Sequence, residues 1–222
     1  MIEFVVEDIK ATLFLAKNKA SPLIVINAFD EEEGPSLIKA LSTLDGPDFH
    51  LLCMSHLNWD FDMTPWDMPP IFPSDKSKKG GADRYLAILL NQIIPKAKSF
   101  LEEEPSFYGI VGYSLGGLFA LYASSKCDLF SRVASISGSL WYEGFKEYLS
   151  SFSIIPKRVY LSLGDKEEKA KNKILSSVRV DTEEIASIYQ EKGSEVIFEM
   201  NQGNHFADAQ ERTIKGLFAL LK

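Results

Sequence analysis

A Gly-x-Ser-x-Gly sequence, Gly112 to Gly116, places one serine between an apolar strand-like run and a helix-like run. The run 107–111 is short and rich in β-forming residues, whereas 115–125 carries leucine and alanine without proline. Ser114 is therefore predicted on the turn between a strand and a helix, where the flanking glycines leave room for a strained backbone. Such a turn exposes the hydroxyl above free N–H groups of the helix and is typical of nucleophilic serine chemistry.

A nucleophilic serine needs a base, and the chain contains three histidines. His50 and His56 precede the serine, in a segment that is predicted to be a buried strand and its end. His205 follows the serine, in a loop between a predicted last strand at 195–200 and a last helix. Only His205 fits the chain order nucleophile, acid, histidine, and it is predicted to be the base. His50 and His56 are interpreted as structural, although His56 stands where it can border the pocket.

The acid that orients the histidine is expected in the loop after the strand 158–163. Three carboxylates compete in that loop, those of Asp165, Glu167 and Glu168. An imidazole needs a buried or half-buried carboxylate at its Nδ1 atom, which fixes the tautomer and stabilises the imidazolium. Any of the three can reach His205 if the loop bends suitably, so the spacing leaves all of them open.

Acyl transfer at the serine also requires N–H donors for an oxyanion. The backbone N–H of Leu115, directly after the serine, is one predicted donor. The second is expected after the apolar strand 23–27, where Ala28 and Phe29 follow Asn27. We predict the N–H of Phe29 as this donor, with Ala28 in the place that glycine usually takes.

The remaining pattern predicts a mainly parallel sheet. Strands and helices alternate, and compact apolar strands are typical of a sheet covered by helices on both faces. The predicted elements are two initial strands, strand 23–27, helix 35–44, strand 49–54, a loop to 81, helix 82–94, strand 107–111, helix 115–125, strand 132–137, strand 158–163, helical segments within 166–192, strand 195–200 and helix 206–221. Ligands are expected at the carboxyl ends of the strands, where Ser114 and His205 would meet.

Composition predicts one soluble domain over residues 1–222. The chain is 45% apolar and 25% charged, and no Gly/Ser/Pro-rich linker or internal repeat divides it. Its net charge is −7, and the lysines of 76–79 are its one short basic cluster, which argues against a nucleic-acid partner. Cys53 and Cys127 are interpreted as reduced thiols.

Other classes of protein lack support in the sequence. The first residues show no secretory pattern, and no apolar run approaches the ~20 residues that span a bilayer, so we expect a cytoplasmic protein without a membrane partner. No metal-ligand cluster or phosphate-binding glycine loop is visible, and neither a metal nor another cofactor is expected. The sequence does not indicate the oligomeric state.

Several motifs together resemble one branch of the α/β-hydrolases, the putative-esterase (esterase D-like) family. Within it, the chain is similar to compact siderophore esterases of the enterobactin and bacillibactin type. The motifs are Asp62-Met63-Thr64-Pro65, Gly80-Gly81-Ala82-Asp83, Gly112-Tyr113-Ser114-Leu115-Gly116-Gly117, Ser137-Gly138-Ser139-Leu140-Trp141-Tyr142, Leu163-Gly164-Asp165-Lys166-Glu167-Glu168 and Gly203-Asn204-His205-Phe206. They cover most of the chain from about residue 58 onward, and the amino-terminal part departs from the family by being short.

The resemblance implies an α/β-hydrolase fold with a minimal cap, a Ser-His-acid triad and hydrolysis of carboxylic esters. In related hydrolases the acid often stands three positions after the glycine, which favours Glu167 ahead of Asp165. The short connection after strand 132–137 implies an open site suited to soluble esters, with siderophore esters among them.

Substrate contacts are expected from the loop 57–81 and the connection 138–148. Their aromatic residues are predicted to form a wall for an aryl or acyl group. These aromatic residues are Trp59, Trp66, Phe72, Trp141 and Tyr142. Arg84, or the lysines Lys76, Lys78 and Lys79, would meet an anionic substrate.

Two other functions are compatible with the same residues. One is a thioesterase or peptidase that uses the same triad on a different acyl compound. The other is a non-catalytic binding protein with a hydrolase fold, because a fold does not by itself determine a function. The two differ in one measurable property, the reactivity of Ser114.

Overall fold

The computed structural model describes residues 1–71 and 79–222, and the strands in these ranges form one eight-stranded sheet. The strands are β1 (Ile2–Val6), β2 (Ile9–Phe14), β3 (Leu23–Asn27), β4 (His50–Ser55), β5 (Tyr108–Tyr113), β6 (Phe130–Ile136), β7 (Arg158–Gly164) and β8 (Glu195–Asn201). Their order in the sheet is β1-β2-β4-β3-β5-β6-β7-β8. The β1–β2 and β2–β4 pairs are antiparallel, whereas every pair from β4 to β8 is parallel.

Helices in the described ranges connect the parallel strands. They are α1 (Glu33–Leu41), α2 (Trp59–Asp62), α3 (Ala82–Ile88), a π-helical turn (Leu89–Ile93), α4 (Ile94–Lys98), α5 (Leu115–Lys126), α6 (Phe145–Ser151), a 3₁₀ turn (Glu167–Lys169), α7 (Lys173–Ser176), α8 (Val178–Glu191) and α9 (Ala209–Leu221). Because parallel strands run in one direction, their carboxyl ends lie along one edge of the sheet, and the loops that follow them meet there.

Both faces of the sheet are covered, which confirms the predicted mainly parallel sheet between two layers of helices. All residues of β3 and β4 are buried, as expected for strands without a solvent face. On one face, α1 and α9 pack through residues such as Leu37 and Leu217. On the other, α3 to α6 and α8 pack through residues such as Phe119 and Ile185.

The helical run from Ala82 is longer than the sequence suggested. The predicted helix 82–94 continues to Lys98 through the π-helical turn and α4. Pro95 lies in the first turn of α4. A proline ring inside a regular α-helix clashes with the carbonyl four residues earlier, and the wider π turn before α4 relieves that clash.

Two short helices, α2 and α6, lie where the sequence predicted loop or left no helix. With four and seven residues, they are shorter than the window in which helical periodicity can be recognised. Gly144, in the left-handed conformation with φ 79°, directly precedes α6.

In the described ranges, no helix has the length and apolar character needed to cross a bilayer.

The thiols of Cys53 and Cys127 are free, as predicted. Burial, followed by the neighbouring Glu33 and Asp30 carboxylates, raises the pKa of Cys53 to about 12. Such a thiol stays protonated at neutral pH and is a poor nucleophile. Cys53 is therefore a core residue.

Candidate active site

Ser114 lies on a sharp turn between β5 and α5, with a strained backbone. Its φ of 57° and ψ of −121° fall outside the regions that residues with a side chain normally occupy. A Cβ atom at Gly112 would lie 2.0 Å from the carbonyl oxygen of Gly116. Only glycine therefore allows the strand and the helix to approach closely enough to form the predicted turn.

The Ser114 hydroxyl meets the imidazole of His205. Ser114 Oγ lies 3.0 Å from His205 Nε2, within the range in which a base accepts a hydroxyl proton. Ser114 is half-buried, and His205 comes from the loop that follows β8. The structure thus brings together the serine and the histidine that the sequence paired.

The loop that carries His205 is held from two sides. The Tyr113 hydroxyl donates to the carbonyl oxygen of His205. Gly203, with φ 103°, donates its N–H to Asp165 Oδ1 at 2.8 Å, and its carbonyl accepts from the Lys166 N–H at 3.1 Å. The positive φ explains why glycine occupies position 203. These contacts fix the loop after β8 against the loop after β7.

Of the three candidate acids, Glu167 is the one placed against the histidine. Glu167 Oε2 lies 2.8 Å from His205 Nδ1, and the side chain of Glu167 is 4% exposed. Asp165 instead accepts the Gly203 N–H, and Glu168 pairs with Arg179 at 3.1 Å. Asp165 therefore supports the histidine loop, while Glu168 belongs to the surface.

A buried polar network fixes the second oxygen of Glu167. Glu167 Oε1 accepts from the Ser137 hydroxyl at 2.7 Å and from the Gly164 N–H at 2.7 Å. Arg212 Nη1 lies 3.4 Å from the same oxygen and donates to Ser137 Oγ at 3.1 Å, while its Nη2 donates to the Gln202 carbonyl at 2.7 Å. Arg212 is 1% exposed, and Ser137 is fully buried with φ 46°.

This network decides the charge of Glu167. Burial raises the pKa of the Glu167 carboxyl, but hydrogen bonds from His205, Ser137 and the Gly164 N–H outweigh it and leave the pKa below its usual value. Glu167 is therefore an anion at neutral pH. An anionic partner at Nδ1 keeps that nitrogen protonated and leaves Nε2 free to accept a proton from Ser114.

Sequence reasoning missed Arg212 and Ser137. A usable signal was present for Arg212, because it shares a helical phase with Gly216 and Leu220, which are both buried on α9. A charged residue at a core position is rarely accommodated without a partner, so its position in the pattern pointed to a buried anion. Ser137 begins the motif Ser137-Gly138-Ser139-Leu140-Trp141-Tyr142, but the resemblance gave it no role.

The two predicted oxyanion donors differ in their surroundings. Leu115 is the first residue of α5, where N–H groups have no partner within the helix. The Phe29 N–H, directly after the residue that follows β3, donates to Glu33 Oε2 at 2.8 Å. A carboxylate of the chain thus occupies the second donor in this structure.

A cavity of about 610 Å³ opens at Ser114 and His205. Its aromatic lining comprises Phe29, Trp59, Tyr113 and Phe206. Phe29 is 71% and Phe206 85% exposed, so the cavity is open to solvent. In the described part of the chain, no group of three His, Cys, Asp or Glu side chains is arranged as metal ligands.

Most of the residues that were predicted to contact substrate lie away from the cavity at Ser114. The Trp66 Nε1–H donates to the Glu143 carbonyl at 2.9 Å, and the Tyr142 hydroxyl donates to the Trp66 carbonyl. Trp141 and Tyr142 line a different depression, and Arg84 pairs with Glu7 at 2.7 Å.

The expectation that Trp66, Trp141, Tyr142 and Arg84 line the substrate cavity is therefore corrected. Internal hydrogen bonds and packing hold Trp66 and Tyr142, and an ion pair holds Arg84. Of the predicted aromatic wall, Trp59 lies in the cavity. Lys79 is exposed and does not line it, whereas Phe72, Lys76 and Lys78 lie outside the described residues.

The two earlier histidines have partners of their own. His50 is buried, with Nδ1 accepting from the Ala16 N–H at 3.1 Å and Nε2 lying 3.2 Å from the Lys19 carbonyl oxygen. His56 is exposed and pairs with Glu31 at 2.5 Å. His50 is thus structural, and His56 is not among the residues that line the cavity.

The sheet order, the turn after β5 and the histidine after β8 define an α/β-hydrolase fold. The chain belongs to the family described as Putative esterase, which matches residues 53–210. That range is more than two thirds of the chain and contains Ser114, Glu167 and His205.

The chain is also similar to a protein of another organism. A Bacillus subtilis (strain 168) protein described as uncharacterized protein YbbA is 31% identical over 152 residues, which cover 66% of this chain and 61% of that protein. The aligned part thus spans less than two thirds of the relative.

Solved structures share the fold. An IroE-like serine hydrolase from Shewanella oneidensis has a TM-score of 0.77 at 18% identity, over 94% of this chain and 74% of that one. Siderophore hydrolase EstB from Aspergillus nidulans has a TM-score of 0.78 at 16% identity, over 99% and 95%. BES protein from Bacillus cereus has a TM-score of 0.71 at 17% identity, over 100% and 94%.

Proposed function

We propose that this protein is a serine esterase in which Ser114, His205 and Glu167 form the catalytic triad. One observation carries the proposal. A continuous pair of hydrogen bonds, 3.0 Å from Ser114 Oγ to His205 Nε2 and 2.8 Å from His205 Nδ1 to Glu167 Oε2, ends at an open cavity. Nucleophile, base and orienting acid in hydrogen-bond contact are the arrangement that acyl transfer requires.

Acylation begins when His205 Nε2 takes the proton of the Ser114 hydroxyl. The serine oxygen then bonds to the ester carbonyl carbon, and the carbonyl oxygen gains the negative charge. The Leu115 N–H stabilises this oxyanion, and the Phe29 N–H joins it once the Glu33 carboxylate releases it. As the bond from carbon to the alcohol oxygen breaks, the imidazolium gives its proton to that oxygen, and the alcohol leaves an acyl-serine behind.

Deacylation repeats these steps with water. His205 removes a proton from a water molecule, whose oxygen bonds to the acyl carbon. The bond to Ser114 Oγ then breaks, and the imidazolium returns its proton to the serine, which releases the carboxylic acid. Anionic Glu167 stabilises the imidazolium in both halves of the reaction.

The open cavity favours small soluble esters as substrates. Cavities of about 300 to 1,000 Å³ accommodate small organic ligands, and the volume here falls in that range. Several structural neighbours are described as siderophore or enterobactin hydrolases. Siderophore trilactones are therefore proposed as the first natural esters to screen after simple ones.

Hydrolysis of p-nitrophenyl acetate and butyrate tests the proposal. The wild-type protein should turn both over, whereas S114A and H205A should each lose roughly 10³-fold or more of kcat. A fluorophosphonate should label the wild type at Ser114 and leave S114A unlabelled. Circular dichroism of both variants checks that they are folded.

Other outcomes point to other functions. Equal background rates in all three proteins, together with an unlabelled Ser114, would overturn catalysis and favour a binding protein. Faster turnover of an acyl thioester or an aminoacyl anilide than of either p-nitrophenyl ester would favour a thioesterase or a peptidase.

A further inference from the structure

The cavity at Ser114 is acidic. Asp30, Glu32 and Glu33 all line it. Among the described residues of the lining, none is lysine or arginine, and His205 is the basic group. A cleft lined by charges of one sign concentrates ligands of the opposite sign and excludes ligands of the same sign.

One of these carboxylates touches the proposed catalytic machinery. Glu33 Oε2 accepts the Phe29 N–H at 2.8 Å, which is the donor assigned above to the oxyanion. Asp30 Oδ1 accepts the N–H groups of Glu32 at 2.9 Å and Glu33 at 3.0 Å, and so holds the start of α1. Hydrogen bonds with Phe29 and Asp30 therefore hold Glu33 in place in the cavity wall.

The Phe29 N–H cannot serve the Glu33 carboxylate and an oxyanion equally. A negative charge at this distance opposes the charge that develops on the substrate carbonyl oxygen. Glu33 is half-buried, so solvent screens its charge less than that of a surface carboxylate. Catalysis is accordingly fastest when the charge of Glu33 is neutralised or drawn away from Phe29.

Exposed aromatic rings lie next to the same carboxylate. The Phe29 and Trp59 rings pack edge to face with centroids 5.5 Å apart, and both line the cavity. Phe29 and Phe206 are largely exposed. Aromatic faces beside a carboxylate suit an alkylammonium group, because such a cation is attracted to both.

We infer that Glu33 determines substrate specificity, favouring esters that carry a cationic group near the scissile bond over neutral and anionic ones. The inference rests on the proposed esterase function. The cation of the substrate pairs with the Glu33 carboxylate, and the Phe29 N–H is released to the oxyanion. A neutral ester leaves Glu33 on Phe29, and an anionic ester is repelled by it.

Three acetate esters of similar size test this specificity. Acetylcholine carries a trimethylammonium group, 3,3-dimethylbutyl acetate is its uncharged isostere, and 3-acetoxypropanoate is anionic. We expect the wild-type kcat/KM for acetylcholine to exceed that for each of the other two by about tenfold or more. Acetate release at constant pH measures all three without a chromophore.

Glu33→Gln tests the residue itself. The variant keeps the size of the side chain and an oxygen that accepts from Phe29, but it removes the charge. We expect kcat/KM for the neutral ester to rise several-fold and the preference for acetylcholine to fall to about twofold or less. Glu33→Ala serves as the second variant if Glu33→Gln does not fold.

Glu31→Gln is the matched control. Glu31 lies two residues before Glu33 and carries the same charge, but it pairs with Lys10 at 2.8 Å and with His56. It is not among the residues that line the cavity. This variant should keep the wild-type preference for acetylcholine.

The outcomes separate this inference from the proposed function. If the wild type hydrolyses 3,3-dimethylbutyl acetate as fast as acetylcholine, or if Glu33→Gln keeps the preference, the role of Glu33 is wrong and the esterase proposal stands. If none of the three esters nor p-nitrophenyl acetate is hydrolysed and a fluorophosphonate does not label Ser114, both are wrong.

Discussion

Two groups of aromatic residues in the structure differ sharply in their surroundings. The cavity group consists of Phe29, Trp59, Tyr113 and Phe206. The Trp66 group consists of Trp66, Tyr122, Tyr142, Phe145 and Tyr148, whose ring centroids lie 5.6 to 6.5 Å from that of Trp66. The first group borders the serine, and the second is packed within the protein.

Hydrogen bonding and exposure explain the difference between the two groups. In the Trp66 group, the Trp66 N–H donates to Glu143, the Tyr142 hydroxyl to Trp66, and the Tyr148 hydroxyl lies 2.8 Å from Ser125 Oγ. Because these polar atoms already have hydrogen-bond partners within the protein, the Trp66 group needs no ligand to supply them. In the cavity group, Phe29 and Phe206 leave most of their surface exposed. Aromatic content thus does not distinguish the two groups, whereas exposure beside the strained Ser114 backbone does.

The largest expected effect tests whether the cavity group borders a catalytic site. Glu167→Gln should lower kcat for p-nitrophenyl acetate by roughly 10³ to 10⁴, because a neutral amide no longer fixes the tautomer or stabilises the imidazolium. Asp165→Asn is the matched control, since its amide oxygen still accepts the Gly203 N–H, and kcat should stay within about threefold. A larger loss in Asp165→Asn would assign the acid to Asp165.

The second prediction sets the two aromatic groups directly against each other. Trp66→Ala should lower the free energy of unfolding by about 3 kcal/mol, because it leaves a hole among four rings, and should leave KM unchanged. Trp59→Ala should raise KM for p-nitrophenyl butyrate about fivefold, on the order of 1 kcal/mol of binding. Urea unfolding and steady-state kinetics measure both. A change of KM in Trp66→Ala with normal stability would reverse the assignment of the groups.

The third prediction concerns the buried support beneath the cavity. Arg212→Met should lower the free energy of unfolding by about 3 kcal/mol, because it leaves the Glu167 anion without its buried cation. Lys215→Met, on the same helix, breaks an exposed pair with Glu199 at 2.8 Å and should cost less than about 1 kcal/mol. Equal costs in urea unfolding would show that Arg212 contributes no more than a surface residue.

The smallest effect is a dependence of stability on pH. The pKa of Glu167 is lowered in the folded protein, so its contribution to stability is complete above the unfolded value of 4.5 and is lost as pH falls through the folded value. Between about pH 5 and pH 3, the free energy of unfolding should therefore fall more steeply in the wild type than in Glu167→Gln. Parallel curves would contradict the lowered pKa.

Much of the layout was predictable, because it depends on local patterns. The glycines around Ser114, the position of His205 after a predicted last strand and the alternation of strands and helices each carry their information within a few residues. The parallel sheet then determines which loops meet. The fold and the positions of Ser114 and His205 follow from these patterns together.

Which acid reaches His205 and which aromatic residues line the cavity depend on distances between segments that are far apart in the chain. Asp165, Glu167 and Glu168 are chemically alike, and the bend of their loop, tied to Gly203, decides which of them reaches His205. Trp66 and Trp59 are likewise indistinguishable by type, and only tertiary packing separates them. The contact between Glu33 and Phe29 has no sequence pattern at all.

The hydrogen bond from Tyr113 to the His205 carbonyl has a mechanical consequence. Tyr113 directly precedes Ser114, so the histidine loop is anchored to the same peptide segment that carries this serine. When the surface loops fluctuate on heating, the serine and the histidine move together and keep their separation. Thermal inactivation should therefore coincide with the cooperative melting of the sheet and should not precede it.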